Sequence, residues 1–504
     1  MTLQRSPLVL LALSCVACNS PAAFHGVGDD GVSFAPVEDF EPGQGVTTDG
    51  IAADGLVPDR ISAQTTDLAT ARASHITASV AAGALGSAVS SLGDLDGDGH
   101  DDIAVGAWAD STGGSLAGAA YVFTSGANHA DAADAVIYGD FASDYAGWAL
   151  GAAGDVDGDG RDDLFVSAHG DDGAADGAGA VYFFLSPVRG ALTLADADAV
   201  LRGASQDDAA GSSAAAIGDV NGDGFDDFAV GVPGDDAGGQ DAGAAYVFFG
   251  PIRGEQTTAD ADARIHGKAT RQWVGTSVAA AGDVNGDGQP DLLVGATGES
   301  LVASGAGAAY LFHGPLRGTV STDVAAGRLF GAGSDDRFGA QVASAGDLNR
   351  DGYDDLLVGA PLADGDAGED AGAAYVFLGP IAGSFSATAA AGRIEGGAAG
   401  AMAGSAVASA GDVDGDAHDD LVVGVPGDAR GGEGAGAAVF FFGPFDGNYS
   451  VDDADVTLLG APGDRVGAAV ATAGDLNGDS KDELLIGAPG AADGAGAAWI
   501  VAID

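Results

Sequence analysis

One phrase recurs seven times along this chain: Gly-Asp-x-(Asp/Asn)-x-Asp. Its first aspartates are Asp94, Asp155, Asp219, Asp283, Asp347, Asp412 and Asp475. Successive copies lie 61 to 65 residues apart. A fixed period of that length requires one supersecondary unit stacked repeatedly on its own copies. Each unit has the same internal order. In the fifth, FGAQVASAGD (338–347) runs into the acidic phrase and DDLLVGAP (354–361) follows it. AGAAYVFLGP (371–380) and AAGRIEGG (390–397) complete the unit. These runs are short, β-rich and bounded by Gly, Pro and Asp, so they predict strands. No segment carries sustained helical periodicity with caps. Four strands per unit of about 62 residues, seven times over, predict an all-β, seven-bladed β-propeller, whose closure leaves only short sheet edges.

The ends of the repeat array predict how the ring closes. The last unit stops at GAGAAWIVAID (494–504), after its third strand. RASHITASV (72–80) stands before the first unit at the offset of a fourth strand. It is expected to complete the last blade, so that one sheet holds both ends of a domain spanning 71–504. An open stack of units would leave an unpaired strand at each end.

What precedes the repeats reads differently. Arg5 and the apolar run LVLLALSCVAC (8–18) predict an export signal over residues 1–18, too short to span a bilayer. Val16-Ala17-Cys18 resembles the lipobox of bacterial lipoproteins, with Cys15 as a competing lipidation site. Residues 19–70 are expected to form a flexible acidic linker. Both cysteines lie in this leader, so neither a disulfide framework nor a Cys-based zinc site is available to the repeats.

The chain carries a formal charge of −57 and two lysines, Lys268 and Lys481. That balance excludes nucleic-acid phosphates and anionic membrane surfaces as partners. It favours cations or basic partners. A hydrophobic content of 46% still allows a sizeable core.

The acidic phrase has metal-ligand spacing. The loop Asp94–Asp102 places oxygen side chains at positions 1, 3, 5 and 9: Asp94, Asp96, Asp98 and Asp102. Position 6 is Gly, which permits a left-handed turn. The backbone carbonyl of His100, at position 7, supplies a further oxygen. Hard oxygen donors at this spacing suit Ca2+ better than Mg2+, which demands a stricter octahedron. The first half matches an EF-hand loop, yet there is no Glu at position 12 and no flanking helix, so the loop joins two strands. The second loop offers Asp155, Asp157, Asp159, the Arg161 carbonyl and Asp163. The third offers Asp219, Asn221, Asp223, the Phe225 carbonyl and Asp227. The fourth offers Asp283, Asn285, Asp287, the Gln289 carbonyl and Asp291. The fifth offers Asp347, Asn349, Asp351, the Tyr353 carbonyl and Asp355. The sixth offers Asp412, Asp414, Asp416, the His418 carbonyl and Asp420. The seventh offers Asp475, Asn477, Asp479, the Lys481 carbonyl and Glu483. Position 6 is Ala417 in the sixth loop and Ser480 in the seventh. Of up to seven calcium sites, these two are expected to be the weakest.

The whole unit, FG-x-x-V-A-x-A-GD-x-(D/N)-x-D-G-x-x-D-L-L-V-G-A-P, resembles the FG-GAP repeat of the integrin α-subunit propeller. Phe338-Gly339 and Gly359-Ala360-Pro361 show both halves of that name in one unit. The resemblance covers about residues 72–504. It implies a seven-bladed propeller with calcium in the hairpin between the first and second strands, and an extracellular binding or adhesion role. Two departures limit it. All seven units carry a loop, whereas integrins load only some blades, and no leg domains or transmembrane helix follow.

In such a propeller the calcium hairpins share one face. Arg189, Arg253 and Arg317, in the repeated phrases SPVRG, GPIRG and GPLRG, are expected on that face, offsetting its charge. The opposite face carries long Gly/Asp-rich connectors such as PGDDAGGQDAG (233–243) and PLADGDAGEDAG (361–372), a usual kind of binding surface. No catalytic residues are predicted, since neither a Gly-x-Ser-x-Gly elbow nor an HExxH motif occurs. His169, which replaces the Pro of the GAP phrase, is expected to be a local solvent-exposed histidine. Trp148 and Trp273 are expected to pack.

The sequence therefore predicts an exported, monomeric, calcium-stabilised propeller. Its partner would be a surface or matrix protein or a glycan, and its only membrane attachment an N-terminal lipid. A secreted hydrolase or lyase using propeller connectors is the alternative, and a purely structural envelope protein is a third.

Overall fold

The computed structural model describes residues 83–502 apart from 125–132, 414–415, 417, 446 and 477–480. It also describes short strands at 47–49, 65–67 and 74–77. The expected export signal and lipid anchor lie outside the described residues. Among those described, no helix is long and apolar enough to cross a membrane.

Seven antiparallel sheets form seven blades in a ring. In blade 1 the strands run Ala88–Gly93, Asp102–Ala107, Ala119–Phe123 and Ala135–Tyr138. The second and third strands are buried at every residue, in keeping with their unbroken apolar sequences DIAVGA and AAYVF. The fourth alternates buried and half-buried, as a strand with one solvated side should.

The core lies between blades rather than within one. Ala229 and Val247 of blade 3 pack against Leu292 and Val294 of blade 4, and six equivalent clusters join the other neighbours. The two glycines of the repeat explain the close spacing. A Cβ on Gly359, in the second strand of blade 5, would lie 2.1 Å from the Gly404 carbonyl oxygen of blade 6. Gly404 itself has φ +80°. Any side chain at Gly359 would force the sheets apart. Small first-strand residues, including Ala88, Ala149, Ala214 and Ala406, leave a narrow axial cavity of about 160 Å³.

The ring closes as the sequence predicts. Ser74–Thr77 pairs antiparallel with Ala497–Val501, so the last blade holds both ends of the domain. Ile76, Leu485 and Ile500 then share a cluster with Ile103 and Val105 of blade 1.

Each sheet also has a fifth strand that the expected four-stranded blade lacks. Gly190–Thr193, from the third-to-fourth connector of blade 2, pairs in parallel with Ala135–Tyr138 of blade 1. Blades 2 to 5 are extended in the same way by the blade that follows. Blade 6 is extended by Thr65–Asp67, and blade 7 by Thr47–Asp49, which pairs antiparallel. Part of the stretch expected to be linker therefore belongs to the sheets. The third-to-fourth connectors of blades 2 to 6 each staple their own blade onto the preceding one.

Candidate metal centres

Each acidic loop leaves the first strand of a blade through a bulge. In blade 1 the register shifts between Ser91 and Gly93 as the strand meets its partner. Gly93 has φ +64°. The same bulge with a left-handed glycine precedes the loop in every blade, which explains the invariant Gly before each first aspartate.

Within the loop, the first carboxylate is wrapped by backbone amides. Asp94 Oδ1 accepts from the amides of Gly97 (2.7 Å) and Asp98 (2.9 Å), and Oδ2 from Gly99 (2.9 Å). Asp155, Asp219 and Asp283 repeat this pattern, and Asp347 accepts from Asp351 and Gly352. Desolvation raises the Asp219 carboxyl, but the amides of Gly224, Asp223 and Gly222 together overcome this and hold it below the usual range. Gly99 at position 6 is left-handed, as expected (φ +91°). Position 4 is left-handed too, at Gly97 (φ +82°) and even at Arg350 of the fifth loop (φ +59°). The position-5 carboxylate accepts from the amide of position 7: His100 to Asp98, Arg161 to Asp159, Phe225 to Asp223, Gln289 to Asp287, Tyr353 to Asp351 and His418 to Asp416.

Position 9 forms the buried wall. Asp102, Asp163, Asp227, Asp291, Asp355, Asp420 and Glu483 are all 3% exposed or less. Each accepts from the amide of position 2, as Asp227 does from Val220 (3.0 Å). The other oxygen of Asp227 accepts from Gly250 (3.0 Å) in the third-to-fourth connector. Burial pushes Asp227 and Asp291 up to about 6, and Asp163 and Asp355 up to about 7. Backbone hydrogen bonds oppose that rise, and the other loop carboxylates, such as Asp157 and Asp159 beside Asp163, add to it. At Asp291 the nearby His313 opposes it as well.

The oxygens converge. Ligand atoms of Asp94, Asp96 and Asp102 lie within 4.8 Å of one another, as do those of Asp155, Asp157 and Asp159. In the third and fourth loops, the Nδ2 groups of Asn221 and Asn285 donate to Asp227 and Asp291, which leaves each Oδ1 as a donor to a cation. An all-oxygen set with one buried carboxylate and two or three more nearer the surface fits a hard divalent ion. Of the sixth loop, Asp414 and Ala417 lie outside the described residues. So do Asn477, Asp479 and Ser480 of the seventh, and with them the expected weakness of both sites.

Three sets of residues have roles that ligand spacing does not reveal. The position-8 aspartates point to the preceding blade: Asp226 Oδ2 accepts from the Asp155 amide at 3.1 Å. Several position-7 side chains also reach back, as the Phe225 ring does over Gly158. Arg189 pairs with Asp96 of the preceding loop (2.9 Å) and Arg253 donates to the Asp157 carbonyl (3.2 Å), which puts them on the acidic-loop face as expected. Arg317 instead lies over the Phe249 ring.

The opposite face corrects one expectation. His169 is not a solvent-exposed outlier. Its ring stacks on Tyr145 (5.0 Å) and tilts against Trp148 (4.2 Å). Desolvation among these rings pushes its imidazole down to about 3, so it is neutral at physiological pH. Trp108 completes the group, 5.9 Å from Tyr145 and 6.0 Å from Trp148. Trp148 is buried and packs, as expected.

The FG-GAP repeat family model matches seven segments: 85–123, 146–184, 210–248, 274–312, 338–377, 403–441 and 466–501. Each segment contains one acidic loop. The chain belongs to the FG-GAP repeat family. Its curated relatives are integrin α subunits. Mouse integrin alpha-IIb is 41% identical over 125 residues, 23% of this chain and 11% of the integrin. Drosophila melanogaster integrin alpha-PS2 is 32% identical over 214 residues, 40% of this chain and 14% of the integrin. Integrin alpha pat-2 of Caenorhabditis briggsae is 35% identical over 220 residues, 40% of this chain and 17% of the integrin. The matched FG-GAP region therefore spans less than a fifth of each relative.

Proposed function

We propose that this FG-GAP protein is an exported binding module of the cell surface, held rigid by calcium in its seven hairpin loops. The observation that carries the reading is the repeated loop: convergent oxygens around a buried carboxylate, which at Asp163, Asp227 and Asp355 receives only hydrogen bonds from neutral N–H groups among the described residues. Asp94, Asp155, Asp219, Asp283, Asp347, Asp412 and Asp475 would each begin one calcium site. The ion would cross-link a hairpin and cancel its self-repulsion. Extracellular modules bind calcium at roughly 10⁻⁴–10⁻³ M, which suits an exported protein. Lipidation of Cys18 would tether it to the envelope.

The partner, a matrix or surface protein or a glycan, would land on the face opposite the loops. The support is a local break in the sevenfold pattern. Blades 5 and 7 end the GAP phrase in Pro361 and Pro489, whereas blades 1 and 2 place Trp108 and His169 there. Tyr145 and Trp148 join them at the same junction, and Phe141 nearby is 72% exposed.

The test is the full chain on glycan and matrix-protein arrays, in millimolar calcium and in chelator. Binding that needs calcium and is lost in Trp108→Ala supports the reading. Turnover of a polysaccharide, or binding indifferent to both changes, contradicts it.

A further inference from the structure

We infer that the seven loops are energetically coupled in a chain that runs round the ring and is open at one place, between blades 3 and 4. The inference rests on the calcium reading above and adds to it how the sites communicate.

Three kinds of contact carry the coupling, each from one blade to the loop before it. The first is the position-8 carboxylate. Asp226 accepts from the first amide of loop 2, Asp354 from that of loop 4 (2.6 Å), Asp419 from that of loop 5 (2.9 Å) and Asp101 from that of loop 7 (2.8 Å). Asp162 and Asp482 lie in the same place against Gly93 and Gly411. The second is the position-7 side chain. Phe225 and Tyr353 cover Gly158 and Gly286, Lys481 donates to the Val413 carbonyl (3.4 Å), and His418 Nδ1 lies 3.2 Å from the Leu348 oxygen. The third is the connector arginine, Arg189 on loop 1 and Arg253 on loop 2.

All three are replaced at one junction. Position 8 of loop 4 is Pro290, which offers no side-chain acceptor and lays its ring against Gly218. Position 7 is Gln289, and nothing lies within 4 Å of where a side chain on Gly222 would begin. Arg317 stacks on Phe249 of its neighbour rather than reaching loop 3.

The contacts couple binding because they start next to ligands. An ion in loop 3 fixes the Phe225 carbonyl and Asp227. Asp226, between them, is then held on the Asp155 amide, and Asp155 opens loop 2. Filling loop 3 thus preorganises loop 2, and by linkage filling loop 2 favours loop 3. Two bound dications repel, so charge alone would give the opposite sign.

The experiment is a calcium titration of the full chain, read loop by loop through amide hydrogen exchange. Asp223→Ala removes a ligand of loop 3. It should raise the calcium midpoint of loop 2 about fivefold or more, within the usual range of coupling between sites. Asp287→Ala, in loop 4, should leave loop 3 within about twofold. Asp226→Ala removes the link and no ligand of loop 3. It should weaken loop 2 while loop 3 still binds, and Asp226→Asn, which keeps an acceptor oxygen, should restore it. The inference is overturned if loop 2 is unmoved or tightens, or if loop 3 responds to loop 4 as strongly as loop 2 does to loop 3. If calcium protects no loop at all, the calcium reading fails, and the coupling falls with it.

Discussion

The two faces of this ring treat several of their buried acids in opposite ways. On the face away from the loops, Asp144 and Asp208 receive only amide hydrogens, but other buried acids are given side-chain partners by the chain. Asp171 accepts from Tyr182 Oη and Arg202 Nη1, both at 2.6 Å, and Asp428 pairs with Arg430 at 2.7 Å. Asp110 accepts from Tyr121 at 2.9 Å. On the loop face, Asp163, Asp227 and Asp355 are at least as buried but receive only amide hydrogens and, at Asp227, one asparagine. Among the described residues no arginine or lysine pairs with them. Burial of unpaired carboxylates is costly, and here it recurs around the ring. On the calcium reading proposed above, the loop face would take its cation from solution.

The largest effect should therefore come from calcium itself. Each loop held at about ten times its Kd adds about 1.4 kcal/mol. Thermal melts in millimolar calcium should lie far above melts in chelator plus magnesium. Equal melting temperatures would erase the contrast between the faces.

Next in size is Asp227→Ala. It removes a buried wall and strands the Val220 and Gly250 amides, with an expected loss of about 3 kcal/mol from buried donors left unpaired. Trp108→Ala, at a half-buried site on the other face, should cost about 1 kcal/mol while abolishing partner binding. Denaturant melts in calcium would rank the two, and the reverse order would contradict the division between a stabilising and a recognising face.

The pH response sharpens the comparison. Burial raises Asp163, Asp227, Asp291 and Asp355 to about 6 or 7 in the ion-free fold, against about 3.9 unfolded. Stability from these groups is full below the unfolded value and is lost as pH rises through 6 to 7. In chelator, stability should fall across that window. In calcium the trend should reverse, because the ion binds the ionised form. Burial also raises Asp144 and Asp208, on the opposite face, to about 6. Their share of the fall should persist whatever the calcium concentration. Melting temperature against pH, with and without calcium, separates the two shares. The smallest effect belongs to Arg189→Ala. Its side chain is 56% exposed, and such a pair is worth about 0.5 kcal/mol.

Much of this was legible in the sequence because repetition multiplies weak signals. One GD-x-D-x-D phrase is an ambiguous turn, whereas seven at a fixed period define blades, loops and closure. The fifth strands were not legible. Gly254–Thr257, GEQT, is short, polar and half exposed, and shows no alternating pattern to betray a strand. The role of Asp226 was hidden because its partner, Asp155, stands 71 residues earlier and in another blade. His169 marked itself by replacing a proline. Its neighbours Tyr145 and Trp148 precede its strand in sequence, and only the sheet brings their rings onto it.

The most direct test of the central claim is a count of bound calcium per chain, by native mass spectrometry of the full protein at rising calcium concentration. One ion per loop, approaching seven at saturation with magnesium unable to compete, is the expected result. A plateau at none or one would contradict it, and the acidity of the loop face would then have to be explained without a metal.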